Sequence, residues 1–560
     1  MGLVKKAAIY FHTLRYLRPV QVYGRVWFKL YQPWPRLDAA PPLRRRSGGW
    51  VSPVTKCPSM VSTTGFRFLN EAHELSFPRD WNSPEREKLW LYNLHYFDDL
   101  NAKGAGARET WHRDLIARWI DENPPGYGNG WEPYPISLRI VNWIKWALGG
   151  ASLEPVWVDS LAVQARFLAR RLEWHLLGNH LFANVKALAF AGAFFSGDEA
   201  NGWLSKGLRV LDRELDEQVL ADGGHFERSP MYHAIIYEDV LDLINLFTAF
   251  PDVLPKAWRT LLEKLERTAQ KMGQWLAAMT HPDGEIALFN DAAFGIAAPP
   301  AELQQYAARL GLGDVAACIT GVTRLAETGY VRAEWSDAVL FADVGDIGPD
   351  YLPGHAHADT LGFELSVFGQ RVFVDSGTSC YGSSAERLCQ RSTRAHNTVE
   401  VDGQDSSEVW GGFRVARRAK PHSLRIEVNP GHILIAGSHN GYMRLPGHVS
   451  HGRTWYVKEK SLLIEDCLDG EFGYAVARYH IHPDVRVEVG ADGMAGVFCL
   501  PGGERLGWHL SGGRGKLIPS SYHPEFGVTV ANTCLEVEFD GGVATLSVAW
   551  NDNAYSFSDR

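Results

Sequence analysis

Apolar residues recur every three to four positions through 108–277, the spacing that gathers them on one face of an α-helix. Seven segments carry this period: ETWHRDLIARWIDE, PISLRIVNWIKWALG, VDSLAVQARFLARRLEWHL, HLFANVKALAFAGAFF, NGWLSKGLRVLDRELDEQV, YHAIIYEDVLDLINLFTAF and AWRTLLEKLERTAQKMGQWLAAM. Short Gly, Pro or Asp punctuation between them makes neighbouring helices antiparallel, so they close into a bundle, a solenoid or a ring. After about residue 335 the period falls to two, in thirteen short runs from AVLFADVG to ATLSVAW bounded by Gly, Asp and Asn. That alternation predicts a large antiparallel β-sandwich. An all-helical half is therefore expected to precede an all-strand half, with the boundary near 300–335.

The first 65 residues fit neither pattern. Val4, Ala7, Ala8, Phe11, Leu14 and Leu17 follow helical spacing, and such a helix either lies on a membrane or docks on the next domain. Residues 19–65, rich in Pro, Arg and Ser, read as an extended, irregular connector. Charge sharpens the contrast: residues 1–50 hold ten Lys or Arg against one acid, Asp38, in a chain of net charge −9. Such a basic arm suits an acidic polymer, a membrane surface or the acidic body of its own protein. The overall negative charge argues against nucleic acid as a partner. With 45% hydrophobic and 22% charged residues, disorder, collagen and coiled coil are excluded as the main state. No apolar run is long enough to span a bilayer, and the stretch Ala7–Phe11 lacks a small-residue cleavage site. A cytoplasmic location is expected, with the periplasm as second choice. The seven cysteines show no CxxC pair, so neither a disulfide framework nor a thiolate zinc site is indicated.

Candidate chemistry concentrates in PGHAHADTLGFELSVFGQRVFVDSGTSCYGSSAERLCQRSTRAHNT, residues 353–398. His357, Asp375 and His396 form a ligand set of two imidazoles and a carboxylate suited to Zn²⁺; a hydrogen-bonded polar cluster without metal fits the spacing equally. Upstream, Asn179 and His180 open a helix, where backbone N–H groups favour an anion and where Asn commonly serves as an N-cap. In DGGHFERSPMYH, Ser229 and Pro230 read as N-cap and first helical residue, which puts Tyr232 and His233 in the first turn, His233 as a candidate substrate contact. The Gly- and Pro-rich stretch YGNGWEPYPISLR delivers Trp131, Glu132 and Arg139 to a helix start as candidate sugar contacts. No GxxxxGK[ST], strand-borne GxGxxG or GxSxG occurs, which disfavours nucleotide hydrolysis and serine esterase chemistry.

Taken together, GNHLFAN, HFERSPMYH, DGEIALFNDA, GHAHADTLGFEL, FVDSGT and RSTRAHNTVEVDG resemble the heparinase II/III-like family of polysaccharide lyases, over about residues 90–480. The resemblance implies an N-terminal (α/α) toroid followed by a large antiparallel β-sandwich, with the active site in the cleft between them. The domains expected are a basic Pro-rich segment 1–65, the toroid 66–325 and the sandwich 326–560. Lyases of this family cleave at the 4-position of a uronic acid by β-elimination. By that resemblance Asn179, with His180 beside it, neutralises the uronate carboxylate, Tyr232 and His355 are the base and acid in either assignment, and His357, Asp375 and His396 hold a structural zinc. Arg139, Lys186, Arg228, Arg391 and Arg394 are candidate contacts to carboxylates or sulfates, and the expected partner is an acidic polysaccharide. Two other functions remain open at this level. One is an (α/α)-toroid glycoside hydrolase, for which Glu132, Asp222, Glu227 and Asp291 supply loop carboxylates; the other is a non-catalytic binding or assembly protein of a bacterial surface-polysaccharide pathway.

Overall fold

The computed structural model describes residues 3–313 and 321–550. Its helices are α1 (Leu3–Leu14), α2 (Pro19–Leu30), α3 (Lys88–Tyr96), α4 (Glu109–Glu122), α5 (Pro133–Leu148), α6 (Pro155–Ala169), α7 (Gly178–Phe194), α8 (Asp198–Gln218), α9 (Pro230–Ala249), α10 (Arg259–Ala278), α11 (Pro300–Arg309) and the short α12 (Ala385–Gln390). All seven segments of helical period form helices, α4 to α10. Helix α7 is apolar on nearly every side and is buried along its length, so α5, α8 and α9 pack around it.

Two departures from the periodicity matter. The apolar spacing of α6 continues into Leu172 and Trp174, yet the helix stops at Ala169 and the chain turns until Leu177, which adopts a left-handed φ of 64°. Bulky residues enter that region at a cost of order 1–3 kcal/mol, which the surrounding packing must offset. The turn ends directly before Asn179. Residues 19–30, expected as irregular connector, instead form α2. Proline occupies its first turn, where the missing N–H costs nothing, and Gly24 lets the helix lie close against His175. The remainder, from Tyr31 to Ser62, holds no helix or strand beyond isolated bridges, as composition predicts.

The strand half forms two sheets. One runs over eight strands from Pro421–Asn429 at one edge to Arg486–Val489 at the other, and the second has nine strands, from Gly513–Tyr522 to Gly321–Leu325. All pairings are antiparallel, and the inward faces meet in a core that includes Trp455, Phe498, Trp508 and Phe363. The order of an α half and a β-sandwich half holds as expected.

A third apolar cluster, Trp275, Met279, Phe289, Tyr330 and Phe341, joins the end of α10 to the nine-stranded sheet. Beside it the fully buried Glu364 carboxylate accepts the Leu288 backbone N–H at 2.7 Å and Arg371 at 3.2 Å, and lies 2.7 Å from His281 Nε2. Residues 280–291 are thereby fixed against the sheet, and Asp291 with them.

Candidate active site

Helix α7 begins at Gly178, so Asn179 and His180 occupy its first turn rather than its cap. First-turn N–H groups lack helical partners and carry the positive end of the dipole. The Asn179 side-chain amide donates to both oxygens of Glu227, at 3.1 and 3.2 Å, and its backbone N–H reaches the same carboxylate at 3.3 Å. Gly178 has φ 54°, and a β-carbon there would lie 2.5 Å from Glu227 and from Leu352, so only glycine fits. His180 Nδ1 lies 3.3 Å from Glu173, with its ring 4.5 Å from that of Tyr134. Burial opposes charging His180, but the Glu173 carboxylate outweighs it and raises the imidazole's pKa. Glu173 is also pushed up by burial, and His180 pulls it below the usual carboxylate range on balance. Each partner thus favours the charged form of the other.

Ser229 and Pro230 open α9 as expected. The Ser229 hydroxyl accepts the Tyr232 N–H at 3.2 Å and donates to the Asp291 carbonyl at 2.6 Å, which ties the helix start to the loop from α10. The Tyr232 hydroxyl lies 2.8 Å from that of Tyr381, and its ring rests 4.0 Å from the His355 ring. His355 Nδ1 is 2.8 Å from Asp291 Oδ2, and its Nε2 is 3.6 Å from Glu227. Arg387 grips Asp291 through both guanidinium nitrogens, one at 2.6 Å. Burial works to raise the Asp291 pKa, but Arg387 and the two imidazoles hold it well below the usual value. An ionised acceptor at Nδ1 makes that nitrogen the donor, and Nε2 is the nitrogen turned toward Glu227. Burial, reinforced by Tyr381, drives the Tyr232 pKa well above 10.0, so its phenol is protonated.

Asn179, Tyr232 and His355 thus converge, with Glu227 and Asp291 linking them. Sequence reasoning noted those two carboxylates only as material for a hydrolase and missed Tyr381 and Arg387. Both missed residues fall within the segment 353–398, but their spacing to Tyr232 and Asp291 exists only in the fold. Of the hydrolase carboxylates, Asp291 is neutralised by Arg387, while Asp222 accepts the backbone N–H groups of Glu327 and Thr328 at 3.0 and 2.8 Å. Glu132 is taken by Lys88 and Tyr92.

Below His355 lies a second polar cluster. Asp375 Oδ2 is 2.7 Å from His396 Nδ1, and Asp359, Asp375 and His396 each offer a ligand atom within 4.8 Å of the others. Asp359 is an addition to the expected ligands. His357 departs from the expected set: its Nε2 faces Asp291 at 2.8 Å, and its ring centre is 5.2 Å from that of His396. His357 Nδ1, His396 Nε2 and one Asp359 oxygen are buried without a hydrogen-bond partner. Burial, with Asp359 nearby, raises the Asp375 pKa to about 6 even against the pull of His396. Two crowded, buried carboxylates with orphaned imidazole nitrogens are costly unless a cation sits among them, so the donors fit a metal such as Zn²⁺.

Three expected substrate contacts require correction. Trp131 is buried, donates to the Asn123 carbonyl at 3.1 Å and stacks on Trp119. Arg139 is fully buried, bonded to Gln164, His95 and Gly130 and lying 3.8 Å over Trp119. His233 is enclosed between Trp275 and the Met272 carbonyl. Each spends its polar groups inside the helical half and offers none to a ligand. Lys186 is likewise consumed by Asp239 and Asp242, Arg391 by the Ala356 carbonyl and Arg228 by backbone carbonyls. Glu132 stays partly open at 38% side-chain exposure, and Arg394 is exposed.

The chain is similar to known proteins. FtsZ-localized protein C of Caulobacter vibrioides is 26% identical over 466 residues, 77% of this chain and 76% of that protein. A heparin-sulfate lyase of Bacteroides stercoris is 28% identical over 278 residues, 46% of this chain but only 40% of the lyase. The crystal structure of heparinase III superposes with a TM-score of 0.68 at 18% identity, covering 86% of this chain and 80% of that one, a likeness of fold. The family description "Heparinase II/III N-terminus" matches residues 119–308 and "Heparinase II/III-like, C-terminal" matches 320–551; with both halves matched in order, the chain belongs to the heparinase II/III-like family.

Proposed function

We propose that this protein is a polysaccharide lyase that cleaves a uronic-acid-containing polymer by β-elimination, at the junction of the helical half and the β-sandwich. The observation that carries this reading is the meeting of a protonated phenol, an imidazole anchored by Asp291 and the first turn of α7 at one place. The reaction must remove the C5 proton beside a carboxylate anion, which demands that the negative charge be offset as it grows. Asn179, His180 and the first-turn N–H groups of α7 supply that field. His355, its Nδ1 held by Asp291, takes the C5 proton at Nε2. As the C4–O bond breaks, the Tyr232 O–H protonates the leaving oxygen, so the products are a 4,5-unsaturated uronate and a free hydroxyl. Its raised pKa suits Tyr232 to the acid step, and Tyr381 orients the phenol.

The hydrolase reading needs two available carboxylates flanking the bond, and Asp291 is too firmly ionised to serve as its acid. Because Arg139, Lys186 and Arg391 are spent internally, a carboxylate polymer with few sulfates is the favoured substrate class. Asp359, Asp375 and His396, with His357 adjacent, would hold Zn²⁺. Bound there, zinc would supply a structural brace beneath the loop carrying His355 rather than an acid for the reaction. Incubation with unsulfated and sulfated uronate polymers tests the proposal: ultraviolet-absorbing unsaturated ends, formed faster on the unsulfated chains, are expected. Saturated reducing ends, or binding without product, would favour the hydrolase or the assembly protein. For the metal, elemental analysis of protein purified without added metal should find zinc, and His396→Ala should lower the melting temperature; zinc-free protein with an unchanged melting temperature would remove the brace.

A further inference from the structure

Helix α2 has two faces with opposite environments. Gln21 and Gly24 are buried; Gln21 donates to the Tyr351 carbonyl at 3.0 Å, and Phe28 packs 4.1 Å from the His175 ring. Arg18 completes the attachment through Glu217 at 2.5 Å. The helix is therefore firmly seated, and its other side is not covered. Val22, Tyr23, Val26, Trp27 and Leu30 are 55, 63, 56, 61 and 80% exposed, and at 3.6 residues per turn they sweep a continuous arc of roughly 140°. On α1, which docks through Tyr10 and Thr13 on Trp410, Phe11 and Leu14 are 64 and 54% exposed; after α2, Trp34 and Leu37 reach 88 and 71%. A soluble surface carries single apolar residues without consequence, but a contiguous set of this kind marks an interaction site.

The composition of the face selects the partner. Arg25 and Lys29 fall at one border of the arc, and together with Lys6 they are exposed and make no ion pair among the described residues. Basic side chains flanking large aliphatic and aromatic ones is the pattern of a helix lying in a membrane interface, where Trp and Tyr settle at headgroup depth and Lys or Arg meet anionic lipid. The hollow beside α2 is lined by Leu17, Pro19, Val22, Val26 and Leu30 with Tyr23 and Trp27, whose hydroxyl and indole N–H are the only polar side-chain groups in its lining. Aliphatic walls give a sugar polymer nothing to bond, whereas acyl chains need only apolar area. No described helix is long and apolar enough to cross a membrane, so contact of this kind is peripheral.

We propose that the outward face of α1 and α2, with Trp34 and Leu37, docks this protein on a lipid surface bearing anionic headgroups. Because α2 rests on His175, four residues before Asn179, docking also fixes the orientation of the candidate active site relative to that surface. Flotation of the full chain with phosphatidylcholine vesicles, with and without phosphatidylglycerol, tests it. Binding is expected only when phosphatidylglycerol is present, and weaker at high salt. Arg25→Ala with Lys29→Ala should weaken binding about tenfold or more, and Val26→Ser with Trp27→Ser should abolish it, with thermal unfolding unchanged in both. Absence of binding to phosphatidylglycerol vesicles, or binding that both pairs leave intact, would overturn the proposal. So would a wild-type dimer that the Val26 and Trp27 changes convert to monomer, which assigns the face to a second copy, or retention on an acidic-polysaccharide column lost with the same changes.

Discussion

Tyr232 and His355 face each other across 4.0 Å in different surroundings. The phenol is buried against Tyr381, so ionising it is costly. The imidazole has an ionised carboxylate at Nδ1 and Glu227 3.6 Å from Nε2. Groups whose environments separate their proton affinities are the ones that divide acid and base work. Removing the Tyr232 hydroxyl should therefore stop turnover without removing the polymer's binding contacts. Tyr232→Phe is expected to lower kcat by about a thousandfold or more, within the range for loss of a general acid, with KM changed less than threefold. A variant with near-normal kcat would take Tyr232 out of the chemistry. Asn179 lies beside them, its amide seated on Glu227 in the first turn of α7.

At the scale of elements, short polar anchors hold long apolar ones in place. Asp99 is an example: its buried carboxylate accepts the Ser59 and Met60 N–H groups at 2.6 and 3.1 Å and binds Arg108 at 2.8 Å, with His112 at 2.7 Å. Burial alone would raise its pKa, but these partners bring it down to about 2. A depressed carboxylate stabilises the fold above its unfolded pKa near 3.9, and the contribution disappears as pH falls through the folded value. Asp99→Asn should cost about 2 kcal/mol at neutral pH by linkage, with the difference from wild type closing toward pH 2. A constant difference down to that pH in chemical unfolding would contradict the assignment. Elements of this kind were legible in the sequence only in part. Helices α4 to α10 declared themselves by period, and Ser229–Pro230 marked the start of α9. The end of α6 did not, because Leu172 and Trp174 continue its apolar spacing while Leu177 is forced left-handed by the site it introduces. The edge strand Gly513–Tyr522, with its Gly, Lys and Pro residues, was hidden because a strand paired on one side lacks clean alternation.

For the whole molecule, the site depends on the fixed meeting of two halves that fold around separate cores. Asn179, Glu227 and Tyr232 come from the helical half, while His355, Tyr381 and Arg387 come from the strand half. Asp291 and the clamp of Glu364 on Leu288 and Arg371 hold the two in register. Motif order singled out Asn179, Tyr232 and His355, and the fold brings these three together. Trp131 and Arg139 were misread because Gly- and Pro-rich sequence looks exposed, although here it wraps a buried Trp119 and Arg139 stack. The central claim is that these residues break a glycosidic bond by elimination, without adding water. Mass spectrometry of the fragments from a defined uronate oligosaccharide measures this directly. The account predicts two fragments whose masses add up to that of the intact oligosaccharide, one of them unsaturated; fragments that together exceed it by one water molecule would contradict it.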